Sequence, residues 1–421
     1  MAIIKRDLLK DVKDHLLKKE ISLIIGPRQA GKTTLMFLLQ QYLTKQGRKS
    51  LFLNLDNEAD KNHFISQNGL IKKIVLELGK KKGYVFIDEI QRKENAGIFL
   101  KGIYDLNLPY KFIVSGSGSL ELKEKIHETL VGRKRIFALN TISFNEFVNF
   151  KTNYHYEDKL TDFFTIEQEK SENLLKEYLN FGGYPRVILE DTVEEKRRNI
   201  DEIYRSYIEK DISYLLKVER VDAFTNLIKI LAGQTGQIVN FNKIAQAIGI
   251  SIQTLKNYFW YGEKTFVVQR VTPYFRNIKK EIIKSPVVYF SDLGLRNYSL
   301  GLFGNISAAN EAGSAFENLI FTILTEKIRF QGASLHFWRT KDKAEVDFVI
   351  NYGKSVVPIE VRYQRFVQPE ITRSLRSFLE KYYPKNAFVI TIDYAKSLRI
   401  ENTNVHFIPY WQIILKNRID L

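Results

Sequence analysis

The sequence predicts an α/β fold whose first unit is a parallel sheet with helices on both faces, and three observations predict it. Apolar strand-like runs and amphipathic helix-like runs alternate from residue 21 to about 139, the rhythm of strands joined by crossover helices. A glycine-rich loop, Gly26-Pro27-Arg28-Gln29-Ala30-Gly31-Lys32-Thr33, stands where the first strand gives way to a helix. An acidic pair, Asp88-Glu89, closes a later strand, and open α/β sheets gather function at the carboxyl ends of their strands.

The elements follow in order. Ile21–Ile25 is a continuous apolar run and reads as a buried strand; 31–46 places Leu35, Leu38, Leu39 and Leu43 on one helical face. Strands are expected at 51–55, 84–87, 111–114 and 135–139, with an amphipathic helix at 63–79. The rhythm changes after about 145, where 145–235 is helix-rich and charged, broken by a hard turn at Phe181-Gly182-Gly183-Tyr184-Pro185. Residues 239–292 read as a helix-turn-helix (241–247, a turn at 249–251, then 254–260) followed by strands at 267–271 and 287–290 with a basic tip at 276–280. That pattern is a winged helix. From about 310 the α/β rhythm returns: a helix at 314–329, strands at 334–338, 344–350 and 355–361, a helix at 370–382 and a strand at 387–392. The expected organisation is four units: 1–150 on the parallel sheet, 151–235 helical, 236–305 winged helix and 306–421 α/β.

Composition bounds the function. With 44% hydrophobic and 13% aromatic residues, the 421-residue chain can build real cores. No apolar run approaches the ~20 residues a membrane helix needs, and the start is polar by its fifth residue, so a cytoplasmic protein without membrane attachment is expected. The absence of cysteine excludes disulfides, thiolate metal sites and a cysteine nucleophile. A net charge of +16 fits a polyanionic partner such as DNA or RNA, and equally a surface solubilised by lysine.

The loop matches GxxxxGK[ST] in the strand-to-helix context that makes it a phosphate-binding P-loop. Gly26 and Gly31 permit the backbone angles that turn N–H groups inward; Pro27, Arg28, Gln29, Ala30 and Thr34 complete the cradle. Lys32 is expected to reach the β- and γ-phosphates, and Thr33 and Asp88 to hold Mg²⁺. Glu89 is the expected base or orienter of the attacking water. Ser115, at the end of the next strand, is placed to bond the γ-phosphate or that water, and Arg133 to act as a finger in cis or from a neighbouring subunit, which would demand an oligomer.

With these residues on the page, the chain resembles the AAA+-superfamily-like P-loop ATPases of bacteria and archaea that carry a C-terminal DUF4143 domain. The likeness runs through Gly26–Thr34, Phe86-Ile87-Asp88-Glu89-Ile90-Gln91, Ser115-Gly116-Ser117, Gly132-Arg133, Ile142–Phe147, Phe181–Pro185, Lys284–Gly294, Phe316-Glu317-Asn318, Trp338-Arg339 and Glu345–Phe348. The resemblance implies ATP rather than GTP, an extra strand between the P-loop strand and the acidic strand, and a winged helix near 239–292.

The C-terminal unit offers a second set of acids. Glu317 falls on a helix, and Asp347 and Glu360 on neighbouring strands; together they match a Mg²⁺ site of the PD-(D/E)xK nuclease kind. Arg362 stands where that pattern has lysine, and arginine cannot serve as a base. An active nuclease, a degenerate nuclease-like binding domain and a fortuitous set of acids all remain open. The recognition-helix residues Gln253, Thr254, Lys256 and Asn257, with Arg276, Lys279 and Lys280 on the wing, are placed to contact DNA; the same modules would serve as a protein-binding surface. Lys196-Arg197-Arg198 reads as a solvated helix face, and His127, His155 and His336 have no zinc spacing. Three functions follow: an ATP-driven switch on nucleic acid, a nucleotide-gated nuclease, or an ATPase whose C-terminal modules bind protein.

Overall fold

A computed structural model describes residues 3–117, 129–208, 212, 219–275, 284–307 and 311–415. The wing-tip residues Arg276, Lys279 and Lys280, and His127, lie outside these described residues.

The first sheet has five strands: β1 (Ile21–Gly26), β2 (Ser50–Asn54), β3 (Gly83–Asp88), β4 (Tyr110–Ser117) and β5 (Lys134–Ala138). Their order is β2-β3-β4-β1-β5 and every pairing is parallel. β4 therefore sits between the P-loop strand and the acidic strand, as the resemblance implied. Alternate residues of these strands serve opposite faces. Leu23, Ile25, Val85, Ile87 and Val114 pack on Leu70, Ile74 and Leu100 on one side, while Ile24, Phe86 and Ile113 pack on Leu35, Met36, Leu39 and Leu43 of the helix Lys32–Lys45 on the other. Burial on both faces explains why the strands read as unbroken apolar runs.

Beyond the sheet, the helix Phe144–Lys151 begins with a capping box, in which Ser143 and Glu146 each take the other's backbone N–H. The helix Gln168–Phe181 stops at Gly182. Gly182 has φ 71°, and a Cβ there would lie 2.2 Å from Gly294 N, so only glycine fits the turn. The helix-turn-helix is present as Phe241–Ile248, Gly249 in the left-handed region, and Ile252–Lys264 capped by Ser251.

The second sheet has eight strands: β6 (Val268–Pro273), β7 (Val287–Phe290), β8 (Ser334–Arg339), β9 (Glu345–Asn351), β10 (Val356–Val361), β11 (Asn386–Thr391), β12 (Lys396–Ile400) and β13 (Thr403–Pro409). Their order is β12-β13-β11-β10-β9-β8-β6-β7. The β6–β7 pair that sequence assigned to the wing thus continues into the C-terminal sheet, through Thr272↔His336 and Pro273↔Phe337. The expected boundary at 305/306 is not a division of this sheet. The helix Ala312–Ile328 buries Phe316, Leu319, Ile320, Phe321 and Leu324 in a core shared with Tyr289 of β7 and Phe348 of β9.

Candidate functional site

The P-loop joins the carboxyl end of β1 to the helix Lys32–Lys45. Gly26 is required where it stands: a Cβ there would lie 2.0 Å from Leu139 O, the carbonyl just after β5. Gln29 and Gly31 both adopt positive φ, 58° and 96°, which coils the backbone into a concave loop. Gly31 is the N-cap and no side chain caps the helix, so the first-turn N–H groups and the positive end of the helix dipole face the loop's mouth. Lys32, only 6% exposed, donates from Nζ to Pro27 O (2.7 Å) and Gly26 O (3.1 Å) and is folded along the loop.

The acidic end of β3 meets this loop. Thr33 Oγ1 donates to Asp88 Oδ2 at 2.7 Å, and Ser115 Oγ donates to the other carboxylate oxygen. Asp88 is buried. Three residues from β3, β4 and the P-loop helix, placed by sequence alone in one site, are thereby in direct contact. Glu89 follows at φ 58°, a conformation that costs a non-glycine residue and accumulates at functional sites. Burial raises its carboxyl above the usual range, and the nearby Lys32 charge works against that rise. The donor set fits a nucleoside triphosphate with Mg²⁺: a ring of loop amides, one ammonium, and a hydroxyl–carboxylate pair of hard oxygen ligands.

Gln91 was quoted in the acidic motif without a role. Its Nε2 donates to Glu89 Oε2, and its Oε1 accepts from Ser117 N at 3.1 Å. It therefore ties the carboxylate of Glu89 to the end of β4.

Two arginines missed in the sequence flank the loop. Arg6 Nη1 donates to Ala30 O at 2.9 Å, its Nε donates to both oxygens of Glu146 (3.1 and 3.2 Å), and its Nη2 reaches Asn140 O and Thr141 O. Arg186, beside Pro185, donates from Nη1 to Gln29 Oε1 at 3.2 Å and pairs with Glu202 at 2.9 Å. Only distance along the chain concealed them, since neither sits in a nucleotide motif.

Arg133 requires a correction. Its carbonyl accepts from Ile21 N at 2.9 Å and Lys134 pairs with Ile21, so Arg133 lies at the amino-terminal edge of the sheet. The P-loop opens at the opposite edge, a full β1 away, about 16 Å at the rise of a strand. Arg133 is instead paired with Asp105 at 2.7 Å. A finger in cis is excluded by this position.

The C-terminal acids lie close enough to influence one another. Burial holds Asp347 well above the usual carboxylate range, reinforced by the charge of Glu317, and burial raises Glu317 and Glu360 as well. Each already has a donor: Asp347 Oδ2 accepts from Val361 N (2.7 Å), Glu317 from the Tyr289 hydroxyl (2.5 Å), and Glu360 from the Thr372 hydroxyl (2.6 Å) and Arg362 (3.2 Å). Among the described residues no three His, Cys, Asp or Glu side chains are grouped to hold a metal ion. The expected Glu317–Asp347–Glu360 metal trio is not assembled.

Residues 18–148 match the AAA domain family, 172–305 a domain of unknown function (DUF8612), and 312–413 a second domain of unknown function (DUF4143). The AAA and DUF4143 domains of the resemblance are both present. An uncharacterized protein of Methanocaldococcus jannaschii is 25% identical over 95% of this chain and 84% of its own length. One from Haemophilus influenzae is 26% identical over 93% of this chain and 94% of its own. One from Mycobacterium tuberculosis is 26% identical over 90% and 78%. Among solved structures, the replication initiator DnaA bound to AMPPCP and single-stranded DNA aligns at 16% identity, covering 62% of this chain and 90% of that one, with a TM-score of 0.31. Cdc6p from Pyrobaculum aerophilum aligns at 9%, covering 73% and 97%, with a TM-score of 0.28.

Proposed function

We propose that this chain, which carries an AAA domain ahead of a DUF4143 domain, is a cytoplasmic Mg²⁺-dependent ATPase that couples ATP turnover to a nucleic-acid partner. The observation that carries the ATPase reading is the contact of Thr33 and Ser115 with the two oxygens of one buried carboxylate, Asp88, at the mouth of a P-loop.

The loop amides and Lys32 bind the phosphates. Lys32 exchanges its two carbonyl partners for phosphate oxygens, a stronger, charge-assisted contact. Thr33 and Asp88 would hold a magnesium ion, which when bound would screen the charge of the phosphate oxygens. Glu89, oriented by Gln91, takes a proton from water as the water oxygen bonds to the γ-phosphorus. The bond from that phosphorus to the bridging oxygen breaks, and ADP leaves with the electron pair. Elevation of the Glu89 carboxyl by burial suits a base, because a higher pKa makes the carboxylate a better proton acceptor.

The nucleic-acid part rests on the net charge of +16 and on Gln253, Thr254, Lys256 and Asn257 along the second helix of the helix-turn-helix. No observation favours cleavage by the C-terminal acids, each of which already accepts a hydrogen bond from a neighbouring donor. The decisive measurement is phosphate release and nucleotide binding in Lys32→Ala and Glu89→Gln. Lys32→Ala is expected to lose binding. Glu89→Gln is expected to bind ATP and turn over about 10²–10⁴-fold more slowly; wild-type turnover in that variant would remove Glu89 from the reaction.

A further inference from the structure

In the second sheet a groove of about 750 Å³ opens between the end of β6, the β9–β10 turn and the turn from the helix Arg373–Tyr382 into β11. Tyr274, Tyr382 and Tyr383 supply aromatic surface, and Lys354 and Lys385 supply charge. Among the described residues the lining contains no aspartate or glutamate. Both lysines are exposed, and neither pairs with a carboxylate among the described residues.

Tyr383 is the telling residue. It ends its helix at φ 50°, in the left-handed position that glycine or asparagine ordinarily fills. Its side chain is 69% exposed. Its neighbours Tyr274 and Tyr382 pack edge to face with centroids 5.3 Å apart, and Tyr382 packs on Trp338 and Phe378. The Tyr383 ring makes no such contact among the described residues. A large aromatic ring is thus held out at the rim of a concave, cationic surface, on a backbone conformation that works against it.

We propose that this groove binds single-stranded nucleic acid. Unpaired bases would stack on Tyr383, the phosphates would lie along Lys354 and Lys385, and the amides of Asn351 and Asn386 would reach base edges. Exposed aromatic faces beside unpaired cations recognise strands whose bases are unstacked. A duplex hides those faces, and an acidic peptide leaves the ring unused. The proposal rests on the reading that the protein has a nucleic-acid partner, and it adds a site remote from the helix-turn-helix.

The test is fluorescence anisotropy of the full-length protein with a labelled oligothymidylate of about 20 residues, a duplex of equal length, an oligouridylate, and free thymidine monophosphate as competitor. Tyr383→Asn suits the left-handed backbone and is expected to weaken strand binding about tenfold, while Tyr383→Phe retains it. The double variant Lys354→Ala/Lys385→Ala is expected to flatten the salt dependence of binding by about two contacts. ATP turnover without nucleic acid stays at the wild-type level in all three. Strand binding unchanged in the groove variants but lost in Lys256→Ala would overturn the groove and leave the nucleic-acid reading standing. Failure of the wild type to bind any of the nucleic acids would overturn both. Competition by free nucleotide as strong as by the strand would make the groove a mononucleotide site and overturn the proposal; preference between the thymidylate and uridylate strands identifies which source of single strand it takes.

Discussion

Arg6 and Arg133 are both arginines paired with acids, yet their positions assign them opposite consequences. Arg6 is buried, and its guanidinium is shared among Ala30 O of the P-loop, the Glu146 carboxylate and two carbonyls beyond β5. Removing it leaves the Glu146 charge buried without its cation, a loss of about 3–5 kcal/mol for a broken buried pair. Arg6→Ala is therefore expected to lower the denaturant midpoint and raise the KM for ATP, while Arg6→Lys recovers part of the stability and less of the nucleotide affinity, since lysine cannot span all four acceptors. Equilibrium unfolding and steady-state kinetics on the same preparations check both. Arg133 lies at the wrong edge of the sheet and is bonded to Asp105. Arg133→Ala is expected to leave the turnover of a monomer within about twofold of wild type; a large loss appearing only in an assembled oligomer would place it in a neighbour's site.

The elements that sequence located best are those whose chemistry is local. β1, the P-loop and its helix announce themselves by an apolar run, two glycines and an amphipathic stripe. β3 announces itself by ending in two acids. The hairpin of β12 and β13 was not anticipated. Lys396–Ile400 is exposed to half-buried, so its alternation is mostly polar, and it joins Thr403–Pro409 through Glu401 at φ 50° with no glycine to mark the turn. Arg6, Gln91 and Arg186 were invisible as site residues for a different reason: their roles arise from contacts between segments, which one-dimensional patterns do not encode.

Strand β4 also carries a buried lysine with a measurable signature. Lys111 bonds Glu20 O and lies 3.2 Å from His15 Nδ1. Burial lowers its pKa from 10.5 to about 7. The unfolded chain therefore binds more protons at this residue between about pH 7 and 10.5, so its contribution to stability increases with pH across that window and is smallest and flat below it. His15, lowered to about 4 by burial and the Lys111 charge, adds a rise between about 4 and 6.5. Lys111→Met is therefore expected to reduce the slope of melting temperature against pH between about 7 and 10.5 relative to the wild type.

At the scale of the whole molecule, hydrogen bonding between β6 and β8 joins the helix-turn-helix region to the C-terminal sheet, across two of the four expected units. Tyr289 of β7 stacks on Phe321 at 4.5 Å and packs against Phe348, so the hairpin's apolar face is completed only by residues beyond 311. A chain ending at 305 exposes that face and the β6 edge, and unpaired apolar edges associate. It is expected to elute as aggregate in gel filtration under conditions where the full chain does not; a well-behaved monomer would restore the independent winged-helix unit.

The arginine at position 6 also ties the P-loop to residues made much later in the chain. During synthesis the loop at 26–33 leaves the ribosome well before Asn140, Thr141 and Glu146, which its arginine partner needs. For that interval the nascent loop has its glycines and its lysine but not the buried anchor that fixes its carbonyl. The anchor of the loop is complete only once the segment after β5, with Asn140, Thr141 and Glu146, has been added.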